Sequence, residues 1–254
     1  MKRWQFKSGK KAQTALFVII AVVIVAGVAL FFFLKPGINI LPKVTEPQGY
    51  LENCIKEAAS DALNILGSQG GFLNSFNYVN YDGSNVSYLC YTDSYYTKCV
   101  NQQPMLKSNI ESEITNYVLL KVQKCAAELK SQLEKKGYSV TTGSLSLSTT
   151  LQPKKVVIDV SMPLTISKEE TKTFGKFQSI LLSPIYEQSM LAQDIVNSEI
   201  SYGDFEQLSY MLYHQETDIE KKMVGDDTIY TLEDRASGKK FLFAIRNYVL
   251  PAGF

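Results

Sequence analysis

Three kinds of hydrophobic pattern follow one another along the chain. The first is a solid block, Gln13–Leu34 (QTALFVIIAVVIVAGVALFFFL), twenty-two residues without a charge. At a rise of 1.5 Å per residue, about 20 residues cross the hydrocarbon of a bilayer, so the block predicts a transmembrane helix. The second pattern has helical period. Leu51, Ile55, Ala58, Ala62 and Leu66 predict a helix from Pro47 or Gln48 to Leu66, stopped by Gly67. Ile110, Ile114, Val118, Val122, Cys125, Leu129 and Leu133 predict a longer one over Met105–Lys136, stopped by Gly137. Between them, residues 72–104 mix aromatics with Asn, Ser, Asp and Gly, and read as short irregular strands and loops with a turn at Asp82-Gly83.

The third pattern has period two. Tyr138–Leu151 carries Val140, Leu145 and Leu147; Lys155–Ile166 carries Val156, Ile158, Val160, Met162, Leu164 and Ile166; Phe174–Leu182 carries Phe174, Ile180 and Leu182. These predict three strands of an antiparallel meander, its apolar face on the helices and its Ser/Thr face wet. Ser183-Pro184 then opens a helix reaching Glu199 or Ile200. A short helix follows over Tyr202–His214, then strands at Thr217–Val224, Thr228–Glu233 and Lys240–Tyr248. The order predicts an α+β class, not the regular alternation of a doubly wound sheet. The expected organisation is a leader at 1–12, a transmembrane helix at 13–34, a Pro-rich linker at 35–48 and an α+β domain at 49–254, with a sub-boundary near 183.

Charge gives this layout a direction. Lys2, Arg3, Lys7, Lys10 and Lys11 precede the block with no acid among them, and the rest of the chain carries 21 basic and 25 acidic residues. The positive-inside bias keeps residues 1–12 in the cytoplasm and places the domain outside, in a single-pass topology at the cell membrane. A cleaved signal peptide and a buried soluble helix are the alternatives, but the block is long and ends in bulky Phe31, Phe32 and Phe33. No ionisable residue interrupts the block, which argues against an ion path. The mildly acidic remainder offers no basic field for nucleic acid.

All four cysteines, Cys54, Cys90, Cys99 and Cys125, lie beyond the block. An even count in an oxidising compartment predicts disulfides, with three pairings open. Cys90–Cys99 with Cys54–Cys125 is favoured, because the first pair spans a small hairpin and the second joins two helical faces. Zinc is the alternative, opposed by the absence of a C-x-x-C pair and by a sole, distant histidine, His214.

Candidate chemistry is sparse. His214 near Glu216 and Asp218 is a weak metal or base signal. Asp226-Asp227 with Asp204 or Glu233 lacks the twelve-residue calcium-loop pattern. Ser167-Lys168 needs a further serine nearby, and Gly67–Gly71 lacks the lysine of a phosphate loop. Phe72, Phe76, Tyr78, Tyr81, Tyr88, Tyr91, Tyr95 and Tyr96 offer either a ligand platform or an apolar layer on the helices. Asn85-Val86-Ser87 is a sequon, making Asn85 a candidate glycan acceptor. No catalytic motif or cofactor fingerprint emerges, and the expectation is a protein that is not an enzyme and carries no cofactor.

Three stretches, KKAQTALFVIIAVVIVAG, YLENCIKEAASDALNILGSQGGFL and DDTIYTLEDRASGKKFLFAIRNY, together resemble a family of single-pass membrane proteins of archaea, especially small-genome lineages. The N-terminal stretch is also similar to the signal of archaeal type IV pilin-like proteins. That resemblance implies cleavage between Ala12 and Gln13, after Lys10-Lys11, and a mature helix that forms a filament core. The fifth residue after the implied cut is Phe17, where many bacterial-style pilins carry Glu. The leading expectation is a structural or interaction protein of the cell envelope. A pilin-like filament subunit and a membrane-tethered ligand-binding ectodomain are the alternatives. The expected partners are the lipid bilayer, further copies of the chain or other envelope proteins.

Overall fold

The computed structural model describes residues 19, 20, 22–25 and 46–248. The chain divides into two units, Met1–Thr45 and Glu46–Phe254. In the first, residues 19, 20 and 22–25 are helical with exposed side chains. The leader, Ala12-Gln13, most of the Gln13–Leu34 block, the linker up to Thr45 and the tail after Tyr248 lie outside the described residues. Among the described residues no helix is long and apolar enough to cross a membrane.

The second unit is α+β with two disulfides. Helix α1 (Pro47–Ser68) starts on proline, whose missing N–H is no loss in a first turn. Helix α2 (Leu106–Lys135) buries Leu106, Ile110, Ile114, Val118, Val122, Leu129 and Leu133. Each such side chain contributes roughly 1.5–3 kcal/mol when fully withdrawn from water. The two helices pack together, joined by Cys54–Cys125 at a Cα–Cα distance of 6.6 Å. The turn after α1 shows why its glycines are there. A Cβ on Gly67 would stand 2.6 Å from the Lys240 carbonyl oxygen. At Gly71, with φ +89°, it would stand 2.9 Å from Leu106. The Leu66–Gly71 run is thus a turn pressed between a strand and a helix.

One sheet holds β4 (Ser139–Thr142), β5 (Ser146–Gln152), β6 (Lys155–Ser167) and β7 (Thr171–Leu182). It departs from the expected meander twice. The predicted strand Tyr138–Leu151 is two strands laid end to end on one edge of β6, β4 against Leu164–Ser167 and β5 against Lys155–Ser161. The gap falls at Pro163, which has no N–H to give a ladder. There Gly143 donates to the Pro163 carbonyl at 2.7 Å, and a Cβ on Gly143 would sit 3.1 Å from the proline ring. The second departure is in β7. Its pairing slips between Ser161 and Leu164, so Phe177, Ser179 and Leu181 face the core opposite Val160, Ile158 and Val156. Ile180 and Leu182, expected inside, are 53% and 81% exposed. Met162 and Pro163 of β6 face the single Gly175 of β7, and this one-residue mismatch reverses every β7 side chain beyond it.

The other sheet holds β1 (Tyr78–Tyr81), β2 (Ser84–Tyr91), β8 (Thr217–Val224), β9 (Asp227–Asp234) and β10 (Lys240–Arg246), in the order β1-β2-β10-β9-β8. A short β3 (Val100–Asn101) also pairs with β2. The late strands β8, β9 and β10 form a continuous antiparallel run, but not a separate sheet, because β10 also pairs with β2. The last one, β10, runs parallel to β2 and antiparallel to β9, inserted between early and late hairpins. Phe241, Phe243 and Ile245 face the helical side, where Tyr230 stacks on Phe243 at 5.3 Å. Helix α3 (Ile185–Tyr202) ends on Gly203, and α4 (Gln207–Tyr213) leads into β8. Helix α1 packs on β7 of one sheet and β10 of the other, and α3 packs on α2, β2 and β10. Both sheets lean on the same helices.

Candidate functional site

The face of the β1-β2-β10-β9-β8 sheet turned away from the helices carries its own small core. Val86, Tyr88, Ile229 and Ala244 are buried there, flanked by Val79, Tyr81, Tyr91, Val224 and Leu242. Curvature closes it. Five flat strands would hold the outer two roughly 19 Å apart at the usual strand spacing. Yet Lys222 of β8 reaches to 5.2 Å from the ring centre of Tyr81 on β1. The two edges curl toward each other over the cluster.

A bulge sets the chemistry of this face. Ala244 lies opposite Tyr88 but Ile245 lies opposite Cys90, so Leu89 is skipped and Tyr91 turns to the same side as Tyr88. Arg246 sits between them, 5.4 Å from each ring centre. Its Nε donates to Asp227 Oδ1 at 2.7 Å, and its Nη2 donates to Asp227 Oδ2 at 2.9 Å and to the Tyr88 hydroxyl at 3.0 Å. Asp227 is 5% exposed, so this is a bidentate pair largely taken out of water. Burial, then the hydrogen bond and charge of Asp227, push the Tyr88 phenol well above its ordinary value, against the lowering effect of Arg246. The Asp227 hydrogen bond holds Arg246 cationic. With its fork taken up by Asp227 and Tyr88, this arginine fastens the curled sheet.

A second buried network lies between α3 and the same sheet. Glu199, 4% exposed, accepts from the Tyr230 hydroxyl and from Lys221 Nζ at 3.1 Å, and Lys221 also contacts Asp204. Burial alone would lower the Lys221 pKa, but Asp204 and Glu199 together outweigh it and raise it. Burial first, and then Glu199, push Tyr230 far up. Asn247 ties this network to the disulfide loop: its Nδ2 donates to the Glu199 carbonyl at 2.7 Å, and its Oδ1 accepts from Cys99 N at 3.2 Å.

The residues singled out by sequence do not converge. His214 is exposed, stacks on Tyr210 at 4.1 Å and lies 3.5 Å from Glu216. Asp204 contacts Lys221, Asp226 accepts from Tyr248, Asp227 holds Arg246 and Glu233 pairs with Lys240, four separate places. Among the described residues no three His, Cys, Asp or Glu are placed to hold a metal ion. The Ser167 hydroxyl meets Thr171, while Lys168 donates to the Lys136 carbonyl. Of the aromatics, Tyr88 and Tyr91 face the small core. Tyr95 stacks on Tyr248 at 4.5 Å, and Tyr96 stands exposed with φ +60° in the loop bounded by Cys90–Cys99. Asn85 is exposed in the β1–β2 hairpin, opposite Asn80.

Sequence reading missed the Glu199–Lys221 and Asp227–Arg246 pairs. Each left a trace: Glu199 falls three and four residues after the apolar Val196 and Ile195, and Arg246 closes the run FLFAI. A charge inside an apolar face calls for a buried partner. No family model, curated protein or solved structure matches this chain.

Proposed function

We propose that the chain is a non-enzymatic structural or interaction protein of the cell envelope. One N-terminal helix, Gln13–Leu34, holds it in the membrane, and residues 46–248 lie outside. The observation that carries this reading is the position of the disulfides. Cys54–Cys125 and Cys90–Cys99 both fall beyond the uncharged block, and such bonds persist in oxidising compartments. The basic leader supports the same direction of insertion. The ion pairs Glu199–Lys221 and Asp227–Arg246 support the scaffold part of the reading, since each buried carboxylate is taken up by a neighbouring cation. The resemblance to single-pass archaeal proteins supports the same topology, with the bilayer and other envelope proteins or further copies as partners.

Protease treatment of intact cells tests this. Loss of the domain, with the N-terminal leader protected until lysis, is expected. Recovery of the protein in the soluble cytosolic fraction, with four thiols open to alkylation, overturns it.

The filament-subunit reading is favoured by one observation, the Lys10-Lys11-Ala12-Gln13 sequence at the start of the block. A mature N-terminus at Gln13 together with filaments in electron micrographs would replace the simple anchor. A mass retaining Met1–Ala12 removes the processed form.

A further inference from the structure

A cleft of about 440 Å³ opens where α1 ends, where α3 begins and where β9 turns into β10. It is lined by neither the Arg246 pair nor the Glu199 network. Leu63, Ile185 and Leu242 give it apolar walls.

The polar lining is unevenly satisfied. Gln188 is 5% exposed, and its Nε2 donates to the Leu232 carbonyl at 3.2 Å and to the Lys239 carbonyl at 2.9 Å. Its Oε1 accepts no hydrogen bond from any described residue and is not sealed from solvent, and Gln188 is one of the residues lining the cleft. Two backbone anchors thus fix an unfilled acceptor in place. Ser183, equally buried, accepts from Ile185 N at 3.4 Å, and its hydroxyl proton meets no described acceptor. Lys239 Nζ donates to the Leu182 carbonyl at 2.9 Å and has no carboxylate in ion-pair range among the described residues. Lys240, by contrast, is paired with Glu233 at 3.2 Å. Asp82, at the rim, adds a carboxylate.

The cleft therefore offers an exposed lysine with no carboxylate partner among the described residues and a buried hydroxyl donor, together with a fixed acceptor and an exposed carboxylate at the rim. A sugar has no aromatic ring to stack on here, and an inorganic anion leaves Gln188 Oε1 unfilled. We infer that this cleft binds a small zwitterion of amino-acid size, its carboxylate taken by Lys239 and Ser183 and its ammonium by Gln188 Oε1 and Asp82. The volume falls within the usual range for small-ligand sites, about 300–1,000 Å³. The site stands independently of the envelope reading, since it needs only the folded second unit.

Thermal unfolding of the full chain in detergent tests it, with L-alanine, acetate and ethylammonium at equal concentration. At about 100 times the dissociation constant, L-alanine is expected to raise Tm by roughly 5–10 °C, while acetate and ethylammonium leave it unmoved. Lys239→Met is expected to abolish the shift while keeping the unliganded Tm. Calorimetric titration with L-alanine gives the same comparison if Lys239→Met lowers that Tm. No shift and no heat with L-alanine overturns the inference. An equal response to acetate overturns it in favour of a plain anion site.

Discussion

Glu199 is held in place by its neighbours. It is a carboxylate in an apolar helix face, and only Lys221 and Tyr230 make its burial tolerable. Lys221→Met would leave it unpaired, and breaking a buried pair from one side costs about 3–5 kcal/mol. Urea unfolding should find a loss of that size, partly recovered in the double variant Glu199→Gln, Lys221→Met. Alkaline pH attacks the same residues. Tyr88 and Tyr230 have folded pKa values raised above 10.0 and Lys221 above 10.5, so each group's stabilisation is complete below those ordinary values. It is lost as pH rises through the folded values. Tm should hold steady from pH 7 to about 9.5 and fall above about 10, and Tyr230→Phe should flatten that fall.

At the scale of elements, the phase slip in β7 makes a sharp test of which face is which. Leu181→Ala should cost about 2–5 kcal/mol because it empties a core site. Leu182→Ser, one residue on, should change stability by no more than about 0.5 kcal/mol. The reverse ranking, a large loss at Leu182 and none at Leu181, would mean the slip is absent. The disulfides differ in reach. Cys54–Cys125 closes 71 residues and Cys90–Cys99 closes 9, so chain entropy assigns about 4 kcal/mol to the first and about 2.5 to the second. Paired Cys→Ala variants compared by urea midpoint and slope should rank in that order.

For the whole molecule, the decisive strand is β10. It is central in its sheet although it comes near the end of the chain, with β2 on one side and β9 on the other. A chain stopped after Lys239 lacks that strand, and neither β2 nor β9 gains another partner. Near-UV circular dichroism should then show loss of fixed tertiary packing, and limited proteolysis should cut within both hairpins. A truncated chain as protease-resistant as the full one would count against this architecture. The same placement means that the sheet cannot be completed until almost the entire domain has been synthesised.

Local pattern was enough to find α1 and α2, since a stripe at steps of three and four buries one helix face whatever it packs on. The alternation in β6 likewise marked Val156 through Ile166 as the core face. The α+β class followed from that order of elements. Tertiary structure alone decided the rest. The β7 slip depends on how residues 174–177 meet β6, and the β4–β5 break depends on Pro163, a residue of the facing strand. The partners of Glu199 and Asp227 lie 22 and 19 residues away, and β2 meets β10 across more than 150 residues. Periodicity reports which face of an element is apolar. It carries no information about which distant strand supplies the next ladder of hydrogen bonds, or which charge answers a buried one.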